Sequence, residues 1–599
     1  MTSTSPVTSS PEPYDTAYAP MRDGTVLRAD VYRPPYGHGP WPVLLARCPY
    51  GRRDPGILAR LAPATAARRC WLVVLQDTRG RFGSDGAWEP LAHEYDDGHD
   101  TVRWAAGLPG SDGRVAMYGP SYLGHAQWAA IEAAPPELVA AVPEFTWSDP
   151  ADGLLARGGT RELGLPVQWT LGLGHEVLRR RHAADEVRRR AALAELTRAE
   201  AELRAGHWDL AAPDALGLPV PGRVGAPPPR AVPADHTALP PVATLTVAGW
   251  YDAFLQGSLD NHAAARAAGH RAALIIGPWT HDNQSGRAEP AAAGDVFDFG
   301  PHADSAHIDG GGSLLERQLD WLETVVERTR IVAGGSRDAA EPRNASEPGA
   351  GRARGTSADA TALVFVTGAG RWRRFAAWPP PSDPTAWYLH ANGELSTRPP
   401  SVTGTAGPGR SFRHDPADPV PALGGALLLT ERHPAGPADQ RPIEARPDVL
   451  VYASAPLTRP LEIAGRISAV LTVTCTAPTA TWVVRLCDVA PDGTSVNLAD
   501  GIARAAHPVG RPGPAGPAGS AGPAGPAGPS GPIETAVDVD LWSAHHLFRP
   551  GHALRVHVAA TSHPRWQPEP GPAVQTVLPG TSRLMLPSVP ACPPRTRMS

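Results

Sequence analysis

"VAMYGPSYLGHAQWAA", residues 115–130, runs an apolar stretch into a serine flanked by glycines and then into an alanine-rich segment. This pattern predicts a β-strand that ends at Tyr118, a tight turn, and an α-helix. Such an arrangement is typical of a nucleophile elbow, in which the turn lifts a serine hydroxyl above the end of a sheet. Ser121 is therefore a candidate nucleophile. A serine that only caps the following helix fits the local pattern equally well.

The glycine spacing departs from the general G-x-S-x-G form of this motif. Leu123 occupies the position of the second glycine, and Gly124 follows one place later. Because a serine alone is a poor nucleophile, the hypothesis requires a base and an orienting carboxylate further along the chain, in the order Ser, Asp, His.

The chain has both partners at the ends of predicted strands. Asp252 follows the apolar run in "TVAGWYDAF" (246–254), and His281 follows the one in "ALIIGPWTHDN" (273–283). In open α/β sheets, ligands bind at the carboxyl ends of the strands. Taken separately, Asp252 could cap a helix and His281 could be an incidental loop histidine. Together with Ser121 they occur in the required order, which favours a catalytic triad.

The succession of strand-like and helix-like segments along the chain predicts an α/β fold with additional domains. Residues 1–149 alternate strand-like and helix-like runs, which indicates a parallel sheet covered by helices. Residues 150–239 are helical and rich in Arg and Glu, as expected for an inserted cap, and the core pattern resumes over 240–330. Residues 331–360 form a predicted flexible linker. Residues 361–599 show short strands typical of a β-sandwich, with a Gly/Pro/Ala-rich loop at about 511–532.

Composition narrows the classes of function. The 599-residue chain has a formal net charge of -5 and no lysine, so nothing favours binding to nucleic acid or an anionic membrane surface. No segment approaches the roughly 20 apolar residues that span a bilayer. The N-terminus lacks the features of a secretory signal, which predicts a cytoplasmic protein. The five cysteines are scattered and odd in number, which argues against a disulfide framework or a zinc site.

Three short motifs together resemble the cocaine esterase / X-Pro dipeptidyl-peptidase group of α/β-hydrolases. The group's G-x-S-Y-x-G elbow is matched at 119–124, its G-W-Y-D segment at 249–252 and its G-P-W-x-H segment at 277–281. The stretches "QDTRGRFGSDG" (76–86) and "TSHPRW" (561–566) are also similar to the group. The resemblance implies an α/β-hydrolase core with a cap and a C-terminal jelly-roll domain of the galactose-binding type.

The resemblance also implies roles for further residues. Tyr50 matches a position whose hydroxyl helps the backbone N–H of Tyr122 to stabilise an oxyanion, and its alternative role is packing at a strand edge. Phe254, Trp147 and Trp169 are candidate apolar walls of the substrate site, or else ordinary core residues. No metal or organic cofactor is expected.

The implied function is a serine hydrolase that cleaves small-molecule esters or amides through an acyl-enzyme. An X-Pro dipeptidyl-peptidase is one alternative, but it requires carboxylates to bind a free α-amine, and only Glu162 is a weak candidate. An acyltransferase that uses the same acyl-enzyme is another. A catalytically silent relative that binds a carbohydrate or a protein is disfavoured by the intact Ser121, Asp252 and His281. The sequence leaves open whether the protein forms a homodimer.

Overall fold

The computed structural model describes residues 15–221, 229–285, 299–333, 362–400, 409–507 and 533–590. The predicted Gly/Pro/Ala-rich loop at about 511–532 therefore lies outside the described residues. The predicted linker, 331–360, also lies outside them apart from its first three residues, which continue a helix.

The first half of the chain is built around one large sheet. In chain order the strands of this half are β1 (Asp15–Pro20), β2 (Val26–Tyr32), β3 (Trp41–Cys48), β4 (Leu72–Asp77), β5 (Ser111–Pro120), β6 (Leu138–Glu144), β7 (Ala156–Arg157), β8 (Thr160–Arg161), β9 (Ala243–Tyr251), β10 (Ala272–Thr280), β11 (Ala362–Val366) and β12 (Arg371–Phe375). Apart from the short β7–β8 ribbon, they lie in the spatial order β1-β2-β4-β3-β5-β6-β9-β10-β11-β12. The strands from β4 to β11 in that order run parallel.

Helices connect these strands. They are α1 (Pro55–Leu61), α2 (Pro63–Arg68), α3 (Glu94–Ala106), α4 (Tyr122–Ala133), α5 (Gly164–Arg181), α6 (Glu186–Ala205), α7 (Ala211–Ala215), α8 (Leu255–Ala267) and α9 (Leu314–Ala333). The helices α5 to α7 lie between β6 and β9, inside the range that the sequence assigned to a cap.

Both faces of the sheet are buried, which explains its continuous apolar strands. In β3, Val43 and Leu45 pack in the cluster that contains residues of α3 and α4. The alternate residues Leu44 and Ala46 pack in the cluster that contains residues of α1, α2 and α9. Because side chains of a strand point alternately to its two faces, a strand covered on both sides requires apolar residues at every position.

The topology brings the three predicted catalytic residues to one edge of the sheet. Ser121 follows β5, Asp252 follows β9, and His281 follows β10. These strands are parallel and lie together in the order β5-β6-β9-β10, so their carboxyl ends point the same way. Strand order and direction alone therefore place the three side chains on the same side of the molecule.

The C-terminal half forms a β-sandwich, as predicted. Its elements are β13 (Asp383–Leu389), β14 (Leu395–Ser396), β15 (Arg410–His414), α10 (Arg441–Glu444), β16 (Leu450–Ala453), β17 (Leu461–Cys475), β18 (Thr479–Val489), β19 (Ser495–Ala506), β20 (Thr535–Phe548), β21 (Ala553–Ala559) and β22 (Ala573–Ser588). One antiparallel sheet has the order β14-β13-β22-β17-β20, with β15 also paired to β22, and the other has the order β16-β21-β18-β19. Residues of both sheets share one apolar core.

The predicted start of the sandwich, residue 361, is wrong. Strand β11 pairs in parallel with β10, and β12 pairs with β11, so both extend the first sheet and not the sandwich. All five side chains of β11, ALVFV, are buried, as expected for a strand covered on both faces. The indole N–H of Trp250 on β9 also donates to the carbonyl oxygen of Phe365, at 2.7 Å.

The described part of the chain holds neither a candidate membrane span nor a candidate metal cluster. None of its helices is long and apolar enough to cross a membrane. Within the same ranges, no group of three or more His, Cys, Asp or Glu side chains is arranged to hold a metal ion.

The position of β11 leads to a prediction about stability. Phe365 is fully buried against Trp372 and Phe299 in the core of the first sheet. We expect Phe365→Ala to lower the free energy of unfolding by about 3–5 kcal/mol, because it removes a large buried ring and leaves a cavity. The urea midpoint of the full chain, followed by tryptophan fluorescence, measures this change. An unchanged midpoint would contradict the assignment of β11 to this core.

Candidate active site

The turn after β5 holds Ser121 in a rare backbone conformation. Its φ is 60° and its ψ is -122°, a combination that L-residues seldom adopt. The Ser121 N–H donates to the carbonyl oxygen of Glu144 at 2.8 Å, which ties the turn to the end of the neighbouring strand β6. The predicted strand-turn-helix is therefore confirmed, and it has the strained geometry of a nucleophile elbow.

Close packing explains why the second glycine of the motif comes one residue late. A Cβ atom at Gly124 would lie 2.8 Å from Cβ of Thr146, which follows β6. Leu123 has space for its side chain because it lies over Gly119, where an added Cβ atom would be 2.7 Å from Leu123 Cδ2. The turn therefore needs small residues at 119 and 124, and it tolerates a leucine at 123.

The Ser121 side chain is not a helix cap. Although Ser121 occupies the N-cap position of α4, its hydroxyl makes no capping hydrogen bond in the described structure. Its side chain lies next to the Tyr50 hydroxyl. This geometry removes the capping alternative that the sequence left open.

Asp252 and His281 form a buried pair. The distance between His281 Nδ1 and Asp252 Oδ1 is 2.7 Å, and Asp252 is fully buried. The other carboxylate oxygen of Asp252 accepts the backbone N–H of Phe254 at 3.1 Å. Because an ionised carboxylate only accepts hydrogen bonds, this contact assigns the proton of neutral His281 to Nδ1 and leaves the Nε2 lone pair as a base.

Aromatic rings fix the plane of the His281 imidazole. Phe254 lies edge-on to it with ring centroids 5.2 Å apart, and Phe145 lies edge-on at 6.3 Å. His281 is only 6% exposed. These contacts restrict its rotation and exclude water from the bond to Asp252.

Tyr50 lies beside Ser121, as the resemblance implied. Its hydroxyl accepts the indole N–H of Trp169 at 3.3 Å. Burial raises the pKa of Tyr50 to about 12, so the hydroxyl keeps its proton at neutral pH and is a hydrogen-bond donor. Tyr50 thus makes a polar contact through its hydroxyl in addition to its apolar packing.

Tyr122 begins α4, so its backbone N–H is among those that have no acceptor within the helix. Its side chain is held firmly: the hydroxyl donates to Glu94 Oε1 and accepts the Leu91 N–H, both at 2.9 Å. Arg47 in turn donates to Glu94 Oε2 at 2.6 Å. Neither Glu94 nor Arg47 could be predicted from the sequence, because the pairing of distant charged residues leaves no local pattern.

The three predicted wall residues share one apolar cluster with Tyr122 and Tyr50. Phe254 packs edge-on against Trp147, with ring centroids 5.0 Å apart. Trp169 is stacked on Tyr122 at 6.3 Å and is only partly buried. The structure thus brings Phe254, Trp147 and Trp169 together. The same cluster includes Leu428 from the C-terminal half of the chain.

Arg81 is a further residue of the site that sequence reasoning missed. It is 1% exposed, and its Nε donates to the carbonyl oxygen of Pro49, next to Tyr50, at 2.7 Å. Its guanidinium also forms an ion pair with Glu176 of the cap, with an N–O distance of 2.7 Å. Its position within residues 76–86, a stretch similar to the hydrolase group, was the one sequence feature that pointed to it, but that similarity assigned no role to any single residue.

Glu162 is buried where the cap segment meets the sandwich. Its Oε1 accepts the indole N–H of Trp566 at 2.8 Å, and Arg565 Nε lies 3.9 Å away. Burial raises the pKa of Glu162 to about 7, against the attraction of Arg565. Glu162 and Arg565 line a small cavity together with Ala253, the neighbour of Asp252.

Family models match both halves of the chain. One described as X-Pro dipeptidyl-peptidase (S15 family) matches residues 23–283. One described as the X-Pro dipeptidyl-peptidase C-terminal non-catalytic domain matches residues 355–595. Cocaine esterase from Rhodococcus sp. (strain MB1 Bresler) is 32% identical over 584 residues, which cover 91% of this chain and 90% of the esterase.

Solved structures share the whole architecture. An aminopeptidase from the marine sediment archaeon Thaumarchaeota archaeon superposes with a TM-score of 0.66 at 21% identity, covering 98% of this chain and 99% of that one. An alpha-amino acid ester hydrolase superposes with a TM-score of 0.65 at 21% identity, covering 96% of each chain. At this level of identity the likeness establishes the fold.

The fold and the family matches define a serine hydrolase with an α/β-hydrolase core and a C-terminal β-sandwich. The chain belongs to the X-Pro dipeptidyl-peptidase (S15) family, with cocaine esterase among its relatives. The resemblance drawn from the three short motifs is confirmed.

The raised pKa of Glu162 leads to a prediction about pH. The folded state holds a proton that the unfolded chain releases, so stability falls as pH rises from the ordinary value of 4.5 to about 7. Glu162→Gln keeps an acceptor for Trp566 and removes this titration. We expect the variant to melt at a higher temperature than the wild type at pH 8, and the difference to disappear near pH 5. A difference in melting temperature that is the same at both pH values would contradict the protonated carboxyl.

Proposed function

We propose that this serine hydrolase cleaves carboxylic esters or small amides, with Ser121 as nucleophile, His281 as general base and Asp252 as the residue that orients the imidazole. The observation that carries the proposal is the 2.7 Å Asp252–His281 pair at the same sheet edge as the strained Ser121 turn. No metal or cofactor is needed, because the nucleophile and both proton transfers come from side chains.

The proposed reaction has two halves. Ser121 Oγ forms a bond to the carbonyl carbon while His281 Nε2 takes its proton, and the carbonyl π electrons move onto the oxygen. When the tetrahedral intermediate collapses, the bond to the leaving group breaks, and the imidazolium gives its proton to the leaving alcohol or amine. Water, deprotonated by the same imidazole, then releases the acid from the acyl-enzyme. Asp252 stabilises the imidazolium in both halves.

The proposed oxyanion hole combines two donors of different kinds. The Tyr122 N–H stands at the first position of a helix, where the helix dipole also favours negative charge. The Tyr50 hydroxyl keeps its proton because burial raises its pKa to about 12. Donors that are fixed in place before the reaction stabilise the developing charge without a cost of reorganisation.

The lining of the site favours an apolar ester. Phe254, Trp147 and Trp169 give it an aromatic wall, and the 32%-identical relative is named as an esterase of cocaine. We therefore propose an ester with an apolar acyl or alcohol group as the substrate class.

A dipeptidyl-peptidase activity remains the related alternative. It requires a carboxylate that is free to bind the substrate's α-amine. The one candidate, Glu162, is engaged by Trp566 and lies near Arg565. This favours the ester or amide over the peptide. An acyltransferase would share the acyl-enzyme, and analysis of the products formed with a competing alcohol distinguishes it from a hydrolase.

We also propose a cytoplasmic location. Cys70 is an exposed free thiol, and thiols of this kind persist in a reducing compartment.

Ser121→Ala gives the first test of the proposal. Wild-type protein mixed rapidly with p-nitrophenyl acetate or butyrate should release a burst of p-nitrophenol equal to the enzyme concentration wherever deacylation is slower than acylation. Ser121→Ala should abolish both the burst and the turnover, because no acyl-enzyme can form. Ser411→Ala, which changes an exposed serine on β15, is the matched control and should behave like the wild type. Turnover that survives in Ser121→Ala would refute the assignment.

Tyr50→Phe tests the oxyanion hole. We expect kcat for p-nitrophenyl acetate to fall by about 10² to 10³, as is typical when one oxyanion donor is removed. KM should change little, because the lost hydrogen bond forms mainly in the transition state. Tyr36→Phe is the matched control, since Tyr36 is 71% exposed. A change in KM with unaltered kcat would place Tyr50 in substrate binding instead.

A further inference from the structure

The cap helix α5 contacts the Tyr50 hydroxyl directly, and it contacts the loop that carries Tyr50 through Arg81. Trp169 and Glu176 are seven residues apart on α5, so they lie on the same face of the helix. Trp169 reaches the Tyr50 hydroxyl, and Glu176 reaches Arg81, which holds the Pro49 carbonyl. Both contacts are polar, although the surrounding cluster is apolar.

The contact between Trp169 and Tyr50 fixes the direction of a proton. An indole N–H can only donate, so the Tyr50 oxygen must be the acceptor in this 3.3 Å hydrogen bond. The hydroxyl proton of Tyr50 must then point away from Trp169. Ser121 also lies next to this hydroxyl, on the side of the proposed reaction. A hydroxyl that accepts one hydrogen bond is also a better donor in the next, because chains of hydrogen bonds polarise one another.

The second contact fixes the backbone of the same loop. Glu176 Oε2 lies 2.7 Å from the Arg81 guanidinium, and its Oε1 accepts the Phe82 N–H at 3.0 Å. Arg81 donates to the Pro49 carbonyl, one residue before Tyr50, at 2.7 Å. Because Arg81 is 1% exposed, it has little freedom to move. Helix α5 thus holds the Tyr50 hydroxyl through Trp169 and the backbone before Tyr50 through Glu176 and Arg81.

We propose that Trp169 is a positioning residue for the oxyanion hole: its indole N–H aims the Tyr50 hydroxyl at the reacting oxygen, so that the cap completes the catalytic site of the core. This inference rests on the proposed function, in which Tyr50 donates to the oxyanion. It differs from the expectation that Trp169 is only an apolar wall, because a wall has no need of the N–H group.

A double-mutant cycle tests the inference. Trp169→Phe keeps an aromatic ring and removes the N–H, and it is measured with Tyr50 present and in the Tyr50→Phe background. With p-nitrophenyl acetate, which is too small to depend on the wall, we expect kcat to fall about fivefold when Tyr50 is present. KM should stay within about twofold. In the Tyr50→Phe background the same substitution should leave kcat unchanged, because the indole then has no hydroxyl to orient.

Other results overturn the inference. A loss of kcat that is equal in both backgrounds, or an effect confined to KM, assigns Trp169 to the wall alone. If Trp169→Phe does not fold, as judged by circular dichroism, Glu176→Gln replaces it in the same cycle with the same expectation and the same contradicting outcome. Failure of the proposed function is recognised separately, since Ser121→Ala would then keep its turnover.

Discussion

The active site depends on one backbone constraint: Ser121 sits in a conformation that a relaxed chain avoids. A strained residue of this kind costs about 1–3 kcal/mol and persists only where its surroundings hold it. Here the Glu144 carbonyl holds the Ser121 N–H at 2.8 Å, and the start of α4 is pressed so close to Thr146 that position 124 has no space for a Cβ atom. The same turn points the serine side chain away from the sheet and exposes the first N–H groups of α4. The proposed nucleophile and the proposed oxyanion donor therefore come from one local distortion.

The positions of the other two residues of the proposed triad follow from the direction of the parallel strands. Because β9 and β10 run with β5, the residues after them reach the same edge, and no long loop is needed to bring Asp252 to His281. Burial strengthens their hydrogen bond, since electrostatic interactions are screened less where water is excluded. Phe254 contributes twice, because its N–H binds Asp252 and its ring packs against His281. The residue predicted only as a substrate wall therefore also supports the Asp252–His281 pair.

The sequence predicted what is encoded locally and missed what depends on distant contacts. The Ser121 turn and the strand ends before Asp252 and His281 could be predicted, because hydrophobic period, glycine position and chain order are local properties. The boundary at 361 was placed wrongly, although ALVFV lacks the alternation of a strand with one exposed face, and that distinguishes it from a typical sandwich strand. Arg81 and Glu94 were not predicted at all. Their roles arise from partners that lie 28 to 95 positions away in the chain, where composition and spacing carry no information.

The residues of the proposed triad and the residues that form the wall of the site also differ in this respect. The proposed nucleophile, base and carboxylate all follow strands of the first sheet, and strand order alone brings them to the same side of it. The wall of the site has another origin: Trp147 follows β6, Trp169 belongs to the cap and Leu428 to the C-terminal half of the chain. The cap can therefore change the preferred substrate without disturbing the triad. It is not independent of the chemistry, however, because Trp169 hydrogen-bonds Tyr50 with the same ring that stacks on Tyr122. In the proposed function, a change in the cap that alters this ring would therefore affect both the substrate wall and the orientation of the Tyr50 hydroxyl.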